Sequence, residues 1–316
     1  MFYRKREGGS MKISEDSVMN KDSGHSQPDL QVVLQAYMKG ESVPCSPTEA
    51  YMHEVLTQYI DALNQKNPQK ILDMYAEDAV IIDPVGANPV SGKRHIETFV
   101  REGLSAMRKA ELSAPIRTSP GGSAAMAFTI NMDFGDHEVL IQVVDVMRFN
   151  ADGKIVALNA HWGVDDIQII KGEKETFLPK YMPDVNILRP PTEAHMRGVL
   201  HSYLDHINNK DVDAFLGLFA QDFSGEDPVG TAPIKGLENL ASFVKNGMAS
   251  RVELNAPVRA TQGKSAAMAF SIHTELGGKN VIIDVIDVMK FNEAGEIVET
   301  KAYWGEKNVR TTEVNG

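Results

Sequence analysis

The chain has 316 residues, 42% of them hydrophobic and 24% charged, a balance that supports about two globular domains with sizeable cores. Its 32 basic and 43 acidic residues give a formal net charge of −11 with no dense Lys/Arg cluster, which argues against a nucleic-acid partner. The single cysteine, Cys45, excludes an internal disulfide and a cysteine-rich zinc module and fits a reducing compartment, so a cytoplasmic location is expected.

Met1 to Arg6 is basic, but Glu7-Gly8-Gly9-Ser10 follows where a secretory signal needs an apolar stretch. The apolar runs fall short of the ~20 residues of a membrane span, so no membrane partner is expected. Residues 1–45 are rich in Ser, Lys and Asp, have one short amphipathic candidate around Leu30 to Met38, and read as a flexible or loosely docked arm.

Beyond the arm, a helix is predicted from Met52, Val55, Leu56, Tyr59, Ile60 and Leu63, which recur at three- and four-residue steps. A short helix over 68–75 follows, then a loop carrying Asp83-Pro84-Val85-Gly86, then a third helix within 92–103. Segments 112–118, 123–134, 138–149 and 154–163 are rich in Val, Ile, Met and Phe and read as strands; Met107 to Ala110 reads as a loop. Asn150-Ala151-Asp152-Gly153 marks a hairpin turn.

The remainder of the chain repeats this pattern. Pro47-Thr48-Glu49-Ala50 returns as Pro191-Thr192-Glu193-Ala194, and Asp83-Pro84-Val85-Gly86 as Asp227-Pro228-Val229-Gly230, both offset by 144 residues. Val143-Val144-Asp145-Val146-Met147 returns as Val285-Ile286-Asp287-Val288-Met289, offset by 142. Such a period is far longer than a solenoid unit, so each copy is expected to be a whole domain. The expected division is an arm (1–45), copy one (46–166), a charged linker (167–189) and copy two (190–311). Helices followed by a mostly antiparallel sheet give an α+β class, with about three helices covering a curved sheet in each copy.

Three residue types stand out in both copies. Asp145 and Asp287 sit mid-strand between Val or Ile neighbours. Should their face border an apolar pocket, burial raises the carboxyl pKa and leaves a neutral hydrogen-bond donor; should it face water, they are ordinary edge charges. Asp83 and Asp227 occupy a loop that by itself is common turn chemistry. Tyr59 and Tyr203 lie on an apolar helix face, where a buried hydroxyl needs a partner.

Together, the helix carrying Gln58-Tyr59-Ile60, the Asp-Pro-Val-Gly loop, the strand Val143 to Phe149 and the pair His161-Trp162 resemble the ketosteroid isomerases, which share a cone-shaped fold with nuclear transport factor 2. In copy two the last segments read Asp284 to Phe291 and Ala302-Tyr303-Trp304. The resemblance covers nearly all of each copy. It implies that Asp83 and Asp227 act as general bases, shifting a proton so that a 3-oxo-Δ5-steroid becomes its conjugated Δ4 isomer. It also implies that Tyr59 with Asp145, and Tyr203 with Asp287, form an oxyanion hole. A carboxylic acid held neutral by an apolar site is already known for the ketosteroid isomerases themselves.

The substrate implied is a small apolar, steroid-like ring system, with no metal and no organic cofactor. By strand parity and family position, pocket walls are expected at Met126, Phe128, Leu158 and Trp162 in copy one, and at Met268, Phe270, Thr300 and Trp304 in copy two; for each, ordinary core is the alternative. Tyr75 matches a further family tyrosine, but copy two has Phe219 there, and Val100 and Val244 occupy another such position. Because family members pair as homodimers, the two repeats are expected to pair as an intramolecular pseudo-dimer. Polyketide cyclases, dehydratases and epoxide hydrolases share the fold, and a non-catalytic apolar-ligand module is a further alternative.

Overall fold

The computed structural model describes residues 29–182, 190–247 and 251–313. Copy one opens with helix α2 (Glu49–Asn64), α1 (Leu30–Met38) lying before it. The Thr48 hydroxyl caps α2 by accepting the Tyr51 N–H at 3.3 Å, and the apolar face puts Met52, Val55, Leu56, Tyr59 and Ile60 in the core. Helix α3 (Pro68–Leu72) ends before the predicted 75, because Tyr75 opens a strand, β1 (Tyr75–Ile82), that the sequence pattern did not reveal. Helix α4 (Lys93–Ala106) completes the cover.

The sheet has β1 flanked by β2 (Val90–Ser91) and β7 (Ile155–His161), and continues through β6 (Glu138–Phe149) and β5 (Ser123–Asp133) to β3 (Met107–Leu112). β1 and β7 pair in parallel, and the other pairs are antiparallel. Residues 107–110, expected as a loop, are therefore an edge strand. Its Arg108 and Lys109 face outward, while the Asn64 side chain exchanges two hydrogen bonds with the Ala110 backbone at 2.8 and 2.9 Å.

Copy two repeats the plan with helices Glu193–Asn209, Val212–Leu216 and Leu237–Gly247. Its sheet orders β10 (Ile234–Lys235), β9 (Phe219–Glu226), β14 (Ile297–Tyr303), β13 (Lys279–Phe291), β12 (Ser265–Leu276) and β11 (Arg251–Thr261), with β15 (Val309–Glu313) on β13. Each copy is thus an α+β unit.

The long strands are buried on both faces. One face of β6 carries Val143, Asp145 and Met147 toward the helices. The other carries Val144 and Val146 into a separate apolar cluster shared by the two copies. That cluster joins Ala125, Ala127, Val144 and Val146 to Ala267, Ala269, Ile286 and Val288. Small residues let the two sheets approach closely, and sheet-on-sheet burial explains why the strand reads as an almost unbroken apolar run.

Two segments depart from the expected division. The stretch 167–189, expected as a linker, begins with strand β8 (Ile167–Lys171), which extends the first sheet by pairing with β6, and helix α5 (Lys174–Tyr181). Residues 183–189 lie outside the described residues, as do residues 1–28 of the expected arm. The described part of the arm contains α1, which has a counterpart in α5: it stands 144 residues later, with Leu34, Tyr37 and Met38 matched by Leu178, Tyr181 and Met182. Each of these helices packs away from the copy it precedes. Val33 and Tyr37 join the core of copy two, and Phe177 joins the core of copy one.

Candidate active site

In copy one, α2 and α4 lie over the curved sheet and leave an apolar cavity that opens to solvent at its mouth. Tyr59 enters from α2, Asp83 from the loop after β1, Asp145 from the middle of β6, Leu158 from β7 and Trp162 from just beyond it. Phe128 also lines the cavity, directly opposite Val143 in the strand register. Met126 does not: it is fully buried in the core although it faces Asp145 across the ladder, so at this position ordinary core prevails.

Asp145 is 4% exposed. Burial lifts its carboxyl well above the ordinary carboxylate range, and the charge of nearby Asp83 pushes the same way. Neither side of its strand meets water, so the edge-charge alternative is excluded by position. The Tyr59 hydroxyl is likewise pushed up, first by burial and then by Asp145. Tyr75 lies buried beside Tyr59, its hydroxyl lacking a partner at ordinary hydrogen-bond geometry. Asp83, in contrast, is half-buried at the loop, and the Trp162 indole Nε1–H donates to its Oδ1 at 2.6 Å.

Copy two assembles the same set. Trp304 Nε1–H donates to Asp227 Oδ1 at 2.6 Å, and the Tyr203 hydroxyl faces Asp287 Oδ2 at 3.5 Å. Burial raises the Asp287 carboxyl well above its ordinary range, with Asp227 adding to the shift. Burial also raises Asp227, opposed by the Trp304 hydrogen bond. Met268 and Phe270 belong to the copy-two core, with the Phe270 and Tyr203 ring centroids 6.4 Å apart. Thr300, on the same sheet face as Asp287, buries a hydroxyl that has no partner. Where copy one has Ile71, Tyr75 and Ala79, copy two has Phe215, Phe219 and Phe223, whose rings pack in series from Tyr203, tilted or edge-on, at 4.9–5.1 Å between neighbouring centroids.

The sequence pattern marks the tryptophans only as apolar wall; the structure adds their hydrogen bonds to the loop acids. The signal was present, since Trp162 and Trp304 follow the loop acids by similar intervals in both copies. Phe99, Val100 and Leu104 of α4 and Met107 of β3 also line the first cavity. No lysine, arginine or histidine is among its lining residues. Among the described residues, no group of three or more His, Cys, Asp or Glu side chains is arranged to hold a metal ion, and no helix is long and apolar enough to cross a membrane.

Comparison with known proteins agrees with the repeat. The SnoaL-like domain family matches residues 56–158 and again 200–300. The steroid Delta-isomerase of Nocardioides simplex is 36% identical over 120 residues, which is 38% of this chain and 96% of that protein. The epoxide hydrolase LasB of Streptomyces lasalocidi is 24% identical over 294 residues, 83% of this chain and 97% of that protein. Among solved structures, the epoxide hydrolase/cyclase-like enzyme SalBIII, described in connection with pyran ring formation in the polyether salinomycin, matches at 27% identity and a TM-score of 0.36, covering 38% of this chain and 97% of its own. Two matched segments, carried on two sheets of the same strand order, place the chain in the SnoaL-like domain family, with the domain present twice in tandem.

Proposed function

We propose that each copy is a steroid Δ-isomerase-type site acting on a 3-oxo-Δ5-steroid-like substrate. The observation that carries this is the convergence, on one apolar cavity, of a half-buried loop carboxylate and two buried donors, Tyr59 and Asp145. The Asp83 carboxylate takes a proton from the carbon between the carbonyl and the double bond. Negative charge then collects on the carbonyl oxygen, where the Tyr59 hydroxyl and the neutral Asp145 carboxyl donate hydrogen bonds in a dry site. The protonated Asp83 returns its proton two carbons further along, and the double bond becomes conjugated. No proton is gained or lost overall. Trp162 fixes one Asp83 oxygen and leaves the other for the substrate.

Asp227, Tyr203 and Asp287 take the same roles in copy two, and the cluster between the sheets supports an intramolecular pseudo-dimer. The relative in Nocardioides simplex, matched across almost its whole length, supports the isomerase reading. A second reading is supported by the epoxide hydrolase LasB, whose alignment spans both repeats. On that reading the neutral Asp145 protonates an epoxide oxygen while Asp83 activates the attacking hydroxyl.

Substrate choice separates the two. Purified protein is expected to convert 5-androstene-3,17-dione to its conjugated isomer, followed by rising ultraviolet absorbance, and to leave an apolar hydroxy-epoxide intact. Opening of the epoxide with no steroid turnover would overturn the isomerase reading.

A further inference from the structure

The Pro-Thr-Glu-Ala motif that revealed the repeat has no part in the proposed chemistry, yet its glutamates reach the turns that carry the site tryptophans. Each tryptophan is followed by a glycine and a single 3₁₀ turn, Val164–Asp166 in copy one and Glu306–Asn308 in copy two. The groups gripping each turn come from the opposite copy. Glu193, the first residue of its helix, accepts the Val164 N–H through Oε2 at 3.1 Å. Arg197, one helical turn on, donates to Asp166 Oδ2 at 2.7 Å, and that oxygen accepts the Gly163 N–H at 2.8 Å.

The mirror arrangement holds in the other direction. Glu49 Oε2 accepts the Glu306 N–H and the Thr118 hydroxyl, each at 3.0 Å, while the Tyr37 hydroxyl donates to its other oxygen. Asn308 bonds the Ile116 carbonyl across the interface at 2.9 Å. The fit leaves no room for a side chain on either turn: a methyl group on Gly163 would stand 2.3 Å from Glu193 Oε2, and one on Gly305 would stand 1.7 Å from Glu49 Oε2. A cleft lined by Pro84, Val85, Trp162, Val164 and Glu193 confirms that the glutamate, the turn and the loop of the proposed base meet at one place.

We infer that Glu49 and Glu193 are positioning residues that act across the repeat interface, each holding the Trp-Gly turn whose indole donates to the loop aspartate of the other copy. Glu193 thus serves the Asp83 site and Glu49 the Asp227 site. Both glutamates accept a backbone N–H of the opposite turn at 3.0–3.1 Å, Glu49 from a buried position and Glu193 from a half-buried one, and burial raises their carboxyls above the ordinary range, Glu193 to about 7. Small displacements of a base cost much in rate. The inference rests on Asp83 and Asp227 being the bases.

The test reads the two sites separately. Asp227→Asn leaves only the first site, and Asp83→Asn only the second. In the first background Glu193→Ala is expected to lower kcat by roughly tenfold or more with KM within about twofold, and Glu49→Ala to change neither. In the second background the pattern reverses. Glu→Gln, which keeps an acceptor oxygen, is expected to restore most of the rate, and Glu→Asp, which withdraws the carboxylate by one methylene, gives the same direction of effect if the alanine variant does not fold.

A second readout needs no turnover, because the chain has only two tryptophans. With Trp304→Phe, Glu193→Ala is expected to shift the emission of Trp162 and Glu49→Ala to leave it; with Trp162→Phe, the assignment reverses for Trp304. Effects confined to the glutamate's own copy, equal at both sites, or seen only as a lower melting temperature would overturn the inference. Crossed fluorescence without steroid turnover would support the positioning and count against the proposed reaction alone.

Discussion

At the scale of single residues, the site depends on giving two carboxyl groups different surroundings. Asp145 and Asp287 are enclosed by the cores of their copies, whereas Asp83 sits half-buried at a loop beside an indole donor. Mid-strand position was enough to single out the strand acids, because an isolated acid among Val and Ile is costly unless neutral or paired. The Trp–Asp bonds were not legible, since an indole among apolar residues reads as wall until its N–H is located. Burial of Asp145 also has a consequence for stability. A carboxyl whose folded-state pKa is raised contributes stability below its unfolded pKa and loses that contribution as pH rises through the folded value. The combined Asp145→Asn and Asp287→Asn variant is therefore expected to lose less melting temperature than the parent between pH 4 and pH 8. Parallel thermal-unfolding profiles across that range would contradict the burial argument.

At the scale of elements, the opening helices and the long strands followed directly from apolar periodicity, and the structure keeps them with only end adjustments. What escaped were elements whose burial depends on a distant partner. β1, with Glu77 and Asp78 in its first half, lacks a clean alternation and becomes a strand by pairing in parallel with β7. Residues 107–110 carry Arg and Lys because they lie on an edge. The alternate faces of β5, β6, β12 and β13 are filled by the other copy, so alanine at positions such as 125 and 267 is a spacing requirement of the sheet contact. Ala267→Leu, at a fully buried position in that contact, is expected to cost about 1–3 kcal/mol in urea unfolding through overpacking. A change below about 0.5 kcal/mol would mean that the sheets are not close-packed there.

At the scale of the whole molecule, the tandem plan was visible from offsets of 144 and then 142 residues, and pairing of the copies was expected from the family resemblance, but the residues that meet between them were not legible, because cross-copy contacts have no sequence periodicity. α1 and α5 show why: only Leu, Tyr and Met survive in common, α5 carries Pro179, and each helix finds its core in the other copy. The Glu49 and Glu193 contacts, like Arg117 donating to Asn255 Oδ1 at 2.9 Å, knit the repeats through polar groups as well as through the Ala/Val cluster. Because both copies carry the same Tyr/Asp/Asp set, the two loci are expected to work separably. The most direct measurement is turnover of 5-androstene-3,17-dione by the parent, Asp83→Asn, Asp227→Asn and the double variant, each verified as folded by circular dichroism. Each single variant is expected to keep part of the parent rate and the double variant to fall by roughly 100-fold or more, the scale of losing a positioned general base. A double variant that retains the parent rate would contradict the assignment of the loop aspartates as the proton-transferring groups.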